Sequence, residues 1–396
     1  MSDRVILHCD LNNFFASVTL LSNATLYNMP VAVCGNEKER HGIVLAKNEI
    51  AKSYGVKTAE TVRDAKRKCP ELVCLPPDYK QYKKYSAAAR KIYERYTDMI
   101  EPFGIDECWL DVTGSIRIFG SGEEIAEKIR CSIKNELKIT VSIGVSFNKA
   151  FAKLGSDMKK PDGITVISKE NFKSKVWPLP AKDLLYVGRS TDERLKSSGI
   201  FTIGDIASCE TALLTHLLGK NGEQLKRYAL GLDSSPVADS NALRIPKSIG
   251  RSVTLDHDID SFEEVRKIFL VLSEEITEKM RNLKLAAFGF QIHLRDTSLR
   301  VKEYSATLSA PITLSLQLSK KGFELFKRNC SLLTPLRSVG IRAINLKDKD
   351  TYFQQSFFDL QSESENEEKI EQSIINLRDK FGESSVKRAS TIEKQK

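Results

Sequence analysis

Two short apolar settings hold the acidic residues on which this sequence could run chemistry. Asp10 closes the run Val5–Cys9 and precedes Leu11-Asn12, while Asp106-Glu107 opens the run Cys108-Trp109-Leu110. Metal-assisted phosphoryl transfer needs carboxylates on a rigid platform, because the ions must bridge an attacking oxygen and a phosphate. Magnesium takes hard oxygen ligands and keeps waters, so two or three carboxylates suffice. Neighbouring residues on a regular strand point to opposite faces. Asp106 and Glu107 therefore share a site only at a strand end or turn, a role for which Gly104 is suited. Composition alone leaves a bland alternative standing, in which these acids cap strands and face solvent.

Length and composition frame that chemistry. At 396 residues the chain exceeds one ordinary hydrophobic core, so several domains are expected. A hydrophobic fraction of 41% with 29% charged residues marks a globular protein rather than a disordered one. The net charge of +9 favours a polyanionic partner such as nucleic acid. Val5–Cys9 is too short for a signal-peptide core, and no run of about 20 apolar residues occurs. The expected location is the cytoplasm, with no membrane contact. The 8 cysteines include no C-x-x-C pair, which speaks against a zinc site or a disulfide framework.

Periodicity outlines the elements that must position the acids. Val5–Cys9 and Pro30–Cys34 are short apolar strands, Ile105–Val112 alternates like a half-buried strand, and Thr140–Val145 is another. Helical spacing runs through Ser86–Met99 and through Glu123–Leu137, where Ile125, Ile129, Ile133 and Leu137 share a face. Asn148–Met158 is a basic helix stopped by Lys159-Lys160-Pro161-Asp162-Gly163. Residues 170–231 are mainly helical, and the polar stretch from Asp233 to Pro246 reads as a linker. Strand-like runs return at Ser252–Leu255, Phe288–Leu294, Thr313–Leu318 and Val339–Leu346, with helices expected at Glu263–Leu283 and Lys320–Cys330. The fold class is α+β.

Against that background, Asp10 through Val18 and Glu101 through Gly114 resemble the catalytic motifs of Y-family translesion DNA polymerases. Phe151 through Gly163 looks like the same family's palm-helix signature, and Lys247-Ser248-Ile249-Gly250-Arg251 is similar to the start of its extra DNA-binding domain. The resemblance implies a right-hand polymerase. Its parts would be palm (1–12 and 75–168), small fingers (13–74), a helical thumb with a helix-hairpin-helix (169–232), a linker (233–246), a separate α+β little finger (247–347) and a flexible tail (348–396). Two Mg²⁺, with Mn²⁺ as a substitute, would be held by Asp10, Asp106, Glu107 and the backbone carbonyl of Leu11.

The resemblance also assigns the remaining contacts. Asn13, Phe14, Phe15, Lys52 and Lys160 would line the nucleotide. Phe15 would be the steric gate beneath the deoxyribose, Lys160 would reach the triphosphate, and the Phe14 ring is expected in the core. Gly188, Gly199, Lys247, Arg251, Arg295 and Arg300 would meet DNA. Gln354, Phe357 and Phe358 resemble the peptide by which bacterial polymerases dock on the β sliding clamp. The implied activity is low-fidelity translesion synthesis by a monomer, with primer-template DNA, dNTP and the β clamp as partners.

Several positions depart from the family pattern. Asn12 stands where the second Asp of D-x-D is usual, and Glu49 and Lys52 stand where a phosphate-binding Tyr and Arg are usual. Lysine holds a phosphate as a point charge without the bidentate fork of arginine, and an ionised Glu49 would repel it, with Lys47 placed to compensate. Tyr186 replaces the first glycine of the hairpin's usual G-x-G. Two rivals follow: a catalytically degenerate, DNA-bound scaffold that recruits repair partners, and a palm-fold nucleotide cyclase, which would need neither the hairpin nor the clamp peptide.

Overall fold

The computed structural model describes residues 4–36, 42–239, 245–350, 362–382, 385–386 and 388. They divide into two units, one reaching residue 239 and one starting at 245. The first unit contains β1 (Ile6–Leu11), β2 (Val31–Cys34), β3 (Val44–Lys47), β4 (Val73–Leu75), β5 (Ile100–Pro102), β6 (Glu107–Asp111), β7 (Val141–Ser146) and β8 (Ile164–Ile167). One sheet runs β5-β6-β1-β7-β8 and a smaller one runs β3-β2-β4.

β1 is buried along its whole length because both of its faces are covered. Leu7, Cys9 and Leu11 enter a core shared with Tyr82 and Ile92 of helix Tyr79–Tyr93 and with Ile125 and Ile129 of helix Gly122–Ser132. The alternate residues, Ile6, His8 and Asp10, face helix Lys149–Met158. That helix lies close on the sheet because two glycines meet there. A Cβ on Gly144 would fall 1.9 Å from the Ala152 carbonyl oxygen, and one on Gly155 would fall 3.1 Å from the Gly144 Cα. Asn148 starts the helix by accepting from the Phe151 N–H at 2.8 Å.

Several expectations need correction here. Helix Tyr79–Tyr93 starts well before Ser86 because Asp78 caps it, accepting from the Lys80 and Gln81 N–H groups, and Tyr96 and Met99 lie beyond its end. β6 is not half-buried: Cys108, Trp109 and Leu110 are all buried, since helix and core cover opposite faces. Nor is Asp233–Pro246 a free linker throughout. Val237 packs against Ile6, Trp109 and Ala152. The Ala238 N–H donates to Glu101 Oε2 at 2.9 Å, and the Lys149 ammonium meets the same oxygen at 2.8 Å.

In the second unit, β9 (Ser248–Ile259), β10 (Leu285–Asp296), β11 (Val301–Ile312) and β12 (Leu336–Asp348) form a sheet in the order β11-β10-β12-β9. Helices Phe262–Asn282 and Ser315–Asn329 supply Phe269, Ile276 and Phe326 to its core. The strand expected at Thr313–Leu318 is instead the start of a helix at Ser315, and β11 precedes it. Much of β11 is exposed, so its apolar alternation was too weak to read.

The tail is not flexible throughout. Ser362–Phe381 form a helix whose Glu371 is buried. Its carboxylate accepts from the Ser315 N–H at 2.9 Å and from Ser315 Oγ at 2.8 Å, and pairs with Arg281 at 2.9 Å. Glu371 thus caps helix Ser315–Asn329 from another element. Arg378 and Arg388 close on Glu274 at 3.0 and 2.8 Å. Gln354, Phe357 and Phe358 lie outside the described residues.

Glu371→Ala leaves Arg281 without its carboxylate and Ser315 without its cap. Thermal unfolding of the second unit should lose about 3 kcal/mol. Glu371→Gln, which can still accept from Ser315, should lose less. Wild-type melting of both variants would show that this helix is not docked.

Candidate active site

The register of β1 against β6 places Asp10 directly opposite Glu107. Leu11 N–H donates to the Asp106 carbonyl at 3.1 Å, so the adjacent Asp10–Glu107 pair is a non-hydrogen-bonded one, in which side chains stand closest. Like charges so placed destabilise a sheet unless a counter-charge intervenes. Lys153, from the helix that Gly144 and Gly155 bring down, supplies it. Its ammonium lies 3.1 Å from both Asp10 Oδ2 and Glu107 Oε1, and 3.3 Å from Asp157. Burial alone would lower the Lys153 ammonium, yet Asp10, Asp157 and Glu107 carry it above its ordinary value.

Asp106 sits in the turn between β5 and β6, where Phe103 N–H donates to the Glu107 carbonyl at 3.0 Å. Gly104 leaves room for it: a Cβ there would lie 3.3 Å from Asp106 Oδ1. The turn thereby brings together two neighbouring acids that a regular strand would separate. Burial, with Asp10 and Glu107 adding repulsion, pushes the Asp106 carboxyl from 3.8 up to about 6. Glu107 goes the other way, to about 2, because His8 and Lys153 outweigh its burial. Among the described residues no three His, Cys, Asp or Glu side chains close into a cage, the Lys153 ammonium lying between Asp10 and Glu107.

A second ammonium reaches the same acid. Lys160 Nζ lies 2.7 Å from Asp10 Oδ2 and 2.9 Å from Asp157 Oδ1. The loop that carries it is fixed by Asn12, whose side chain donates to Ser142 Oγ at 2.9 Å and accepts from the Asp162 N–H at 2.8 Å. The departure from D-x-D therefore has a positional role, with a donor and an acceptor on one buried amide.

Phe15 stands on helix Phe14–Leu21, entered through Asn13 at a left-handed φ of 47° that Asn tolerates. Its ring stacks on Tyr82 at 4.2 Å and 9°, with Tyr79 edge-on at 5.8 Å. Tyr82 is buried and its hydroxyl is bonded to Thr19 Oγ1 at 2.8 Å, so the stack rests on a fixed base. Phe14 has its ring in the core. Asn13 donates to Glu49 Oε1 at 2.9 Å, and Lys52 pairs with the same carboxylate at 3.3 Å. Although burial opposes it, these two hold Glu49 below its usual carboxylate range. Glu49 thus occupies Lys52 rather than standing alone.

The basic positions divide by geometry. Arg295, His293 and Gln291 of β10 are in register with Ser338, Gly340 and Arg342 of β12, on the face away from Ile292, Leu294, Val339 and Ile341. Arg251 is opposite Ile341 and so falls in the helix-side register, pairing with Glu275 at 2.9 Å. Arg300 pairs with Asp296 at 3.0 Å, and Lys247 is exposed. The exposed Arg251–Glu275 pair is worth about 1 kcal/mol or less. Sequence reading missed Arg342, although its alternation with Val339, Ile341 and Ala343 was a usable signal. It also missed His8, Lys153 and Tyr82. In the segment expected to form a helix-hairpin-helix, Gly199 (φ 77°) and Tyr186 (φ 69°) are both left-handed, and Gly188 is the N-cap of helix Arg189–Ser197. The tyrosine bears a strain of about 1 kcal/mol that glycine would avoid.

Comparison with known proteins bears on what this arrangement serves. The impB/mucB/samB family profile matches residues 9–157, and the family's C-terminal domain matches 246–357. DNA polymerase IV of Acetivibrio thermocellus is 47% identical over 391 residues, covering 98% of each chain. DNA polymerase IV 1 of Bacillus subtilis is 36% identical, covering 99% of this chain and 94% of its own. A solved Y-family DNA polymerase chimera superposes with a TM-score of 0.77 at 25% identity, over 87% of this chain and 99% of that one.

Because its carboxyl is raised from 3.8 to about 6, Asp106 favours the folded state in its protonated form. That contribution is complete below about pH 4 and is lost as pH rises through 6, at a cost on the order of 1–3 kcal/mol. In chelator, Asp106→Asn should therefore melt above wild type at pH 7.5 and alongside it at pH 4. Equal melting at pH 7.5 would show that Asp106 is not crowded.

Proposed function

The chain belongs to the impB/mucB/samB family, and we infer on that premise that it is a Y-family, DNA-directed DNA polymerase performing translesion synthesis. It extends a primer on a template by attack of the 3′-hydroxyl on the α-phosphate of a dNTP. Neither the scaffold nor the cyclase reading finds support in these relatives. The five-stranded sheet serves as the palm, the β3-β2-β4 layer as the fingers, residues 169–232 as the thumb and the second unit as the little finger.

One observation carries the mechanistic reading: Asp10 and Glu107 stand face to face across β1 and β6, Asp106 precedes them in the turn, and two ammoniums lie on Asp10. That donor set suits hard divalent cations. Asp10, Asp106, Glu107 and the Leu11 carbonyl would hold two Mg²⁺, or Mn²⁺, which polarise the α-phosphate and lower the pKa of the primer hydroxyl. Lys160, held within reach by the Asn12 clamp, passes from Asp10 to the triphosphate. Phe15, backed by Tyr82, excludes a 2′-hydroxyl by volume. Asn13 and Lys52 border the phosphates, with Lys47 nearby. Backbone amides at Gly188 and Gly199 grip DNA phosphates without reading sequence, as do Lys247, Arg251, Arg295, Arg300 and Arg342. Gln354, Phe357 and Phe358 dock on the β clamp, with the aromatic pair supplying most of the energy.

Primer extension is the test. Asp106→Asn should abolish it while leaving DNA affinity nearly intact, because phosphate contacts dominate binding. Phe15→Ala should raise the rNTP-to-dNTP ratio of kcat/KM at least tenfold, worth about 1.4 kcal/mol of lost discrimination. Wild-type extension by the first variant, or unchanged sugar selectivity in the second, would overturn the assignment of that residue. Replacing Phe357 and Phe358 by alanine should remove stimulation by the clamp without changing synthesis in its absence. Full stimulation of that double variant would exclude the docking.

A further inference from the structure

Glu49 opens the short helix Glu49–Ser53, whose start is tied down from two sides. Asn48 Oδ1 accepts from the Ala51 N–H at 2.9 Å and from the Val31 N–H at 3.0 Å, and Asn48 Nδ2 donates to the Met29 carbonyl at 2.8 Å. The backbone that carries Glu49 is therefore fixed to the start of β2. One turn on, the Lys52 ammonium straddles the carboxylate, 3.3 Å from Oε2 and 3.4 Å from Oε1. From the other side Asn13 Nδ2 donates to Oε1 at 2.9 Å. Asn13 is the N-cap of helix Phe14–Leu21 but makes no side-chain capping bond there, so its amide is committed to Glu49.

Charge explains why these groups gather. Lys47 Nζ is bonded to Thr58 Oγ1 at 3.1 Å. Although Glu49 and Glu60 oppose it, burial and then Lys52 hold the Lys47 ammonium below its ordinary value. Two ammoniums thus draw on Glu49 as counter-charge. The Glu49–Lys52 pair is weak, because both side chains are nearly half exposed and such pairs contribute little. A triphosphate carries several negative charges where Glu49 carries one, so it draws Lys52 away. What Lys52 gives the nucleotide is reduced by what it loses on leaving Glu49.

We propose that Glu49 is a positioning residue for Lys52 and that it lowers the affinity for dNTP, holding the ammonium on itself until the triphosphate displaces it. Asn13 keeps the carboxylate in place as Lys52 leaves. The exchange takes place on binding and is complete before the primer hydroxyl attacks, so it enters KM and leaves kcat alone. The inference rests on the reading of Lys52 as a group that borders the phosphates.

The test measures equilibrium binding of the matching dNTP to the full chain on dideoxy-terminated primer-template in Mg²⁺, read by 2-aminopurine fluorescence in the template. Glu49→Gln keeps an acceptor for Asn13 and loses the charge. It should tighten dNTP about threefold and lower KM by the same factor, with kcat within about twofold of wild type. In a Lys52→Met background the same substitution should give no gain, because no ammonium is left to release. Both positions are exposed, so the variants should melt with wild type. Unchanged dNTP affinity in Glu49→Gln beside a loss in Lys52→Met would overturn the proposal alone. An equal gain from Glu49→Gln with and without Lys52 would overturn it too, by showing that the carboxylate repels the triphosphate directly. If Lys52→Met leaves dNTP affinity unchanged in both backgrounds, the reading of Lys52 as a phosphate contact falls, and the proposal with it.

Discussion

The register of one strand pair sets two carboxylates face to face, and the rest of this site answers that repulsion. Asp10 and Glu107 are opposite in the close pairing of β1 with β6, with Asp106 added from the turn. No sheet holds such a cluster unaided. The protein places one ammonium between the opposed pair and a second on Asp10, and even so Asp106 remains well above its ordinary value. The charge balance of the site is thus set by the fold itself, through strand register and the placement of two lysines.

Helix Lys149–Met158 is the means by which the sheet is answered. Its successive turns present Lys149 to Glu101, Lys153 to the acid pair and Ser156 to His8. All three contacts depend on the helix lying directly on β7 and β1, which the absence of side chains at Gly144 and Gly155 permits. The same helix leads into the loop that bears Lys160, and Asn12 ties that loop back to β1. Lys153, Lys160 and the acids they pair with are thus referenced to a single strand, which is a rigid way to hold them. Phe15 follows the same logic, since its ring is set by Tyr82 rather than by its own helix.

The second unit uses an open sheet differently. One face carries the core, and the other offers Arg295 and Arg342 in adjacent register. The helix Ser362–Phe381 belongs to this unit through Glu371 and Arg378. A polar, Glu-rich segment thus became structured because a single buried carboxylate found an uncapped helix N-terminus.

By itself the sequence determined the α+β class and the strands that carry Asp10 and Glu107, and motif resemblance singled out Asp10, Asp106, Glu107 and Phe15 as candidates. Each of these is a local matter, read from periodicity or from motif residues adjacent in the chain. Only the tertiary structure decided that Lys153 stands between Asp10 and Glu107, that Asn12 clamps the Lys160 loop, and that the buried His8 ring lies against Trp109 and Ser156. It likewise decided that Val237 and Glu371 are buried, where polarity suggested linker and tail. The physical reason is range. Those contacts join residues far apart in sequence, and strand register and the close approach of a helix to a sheet, neither written in any local pattern, bring them within hydrogen-bond distance.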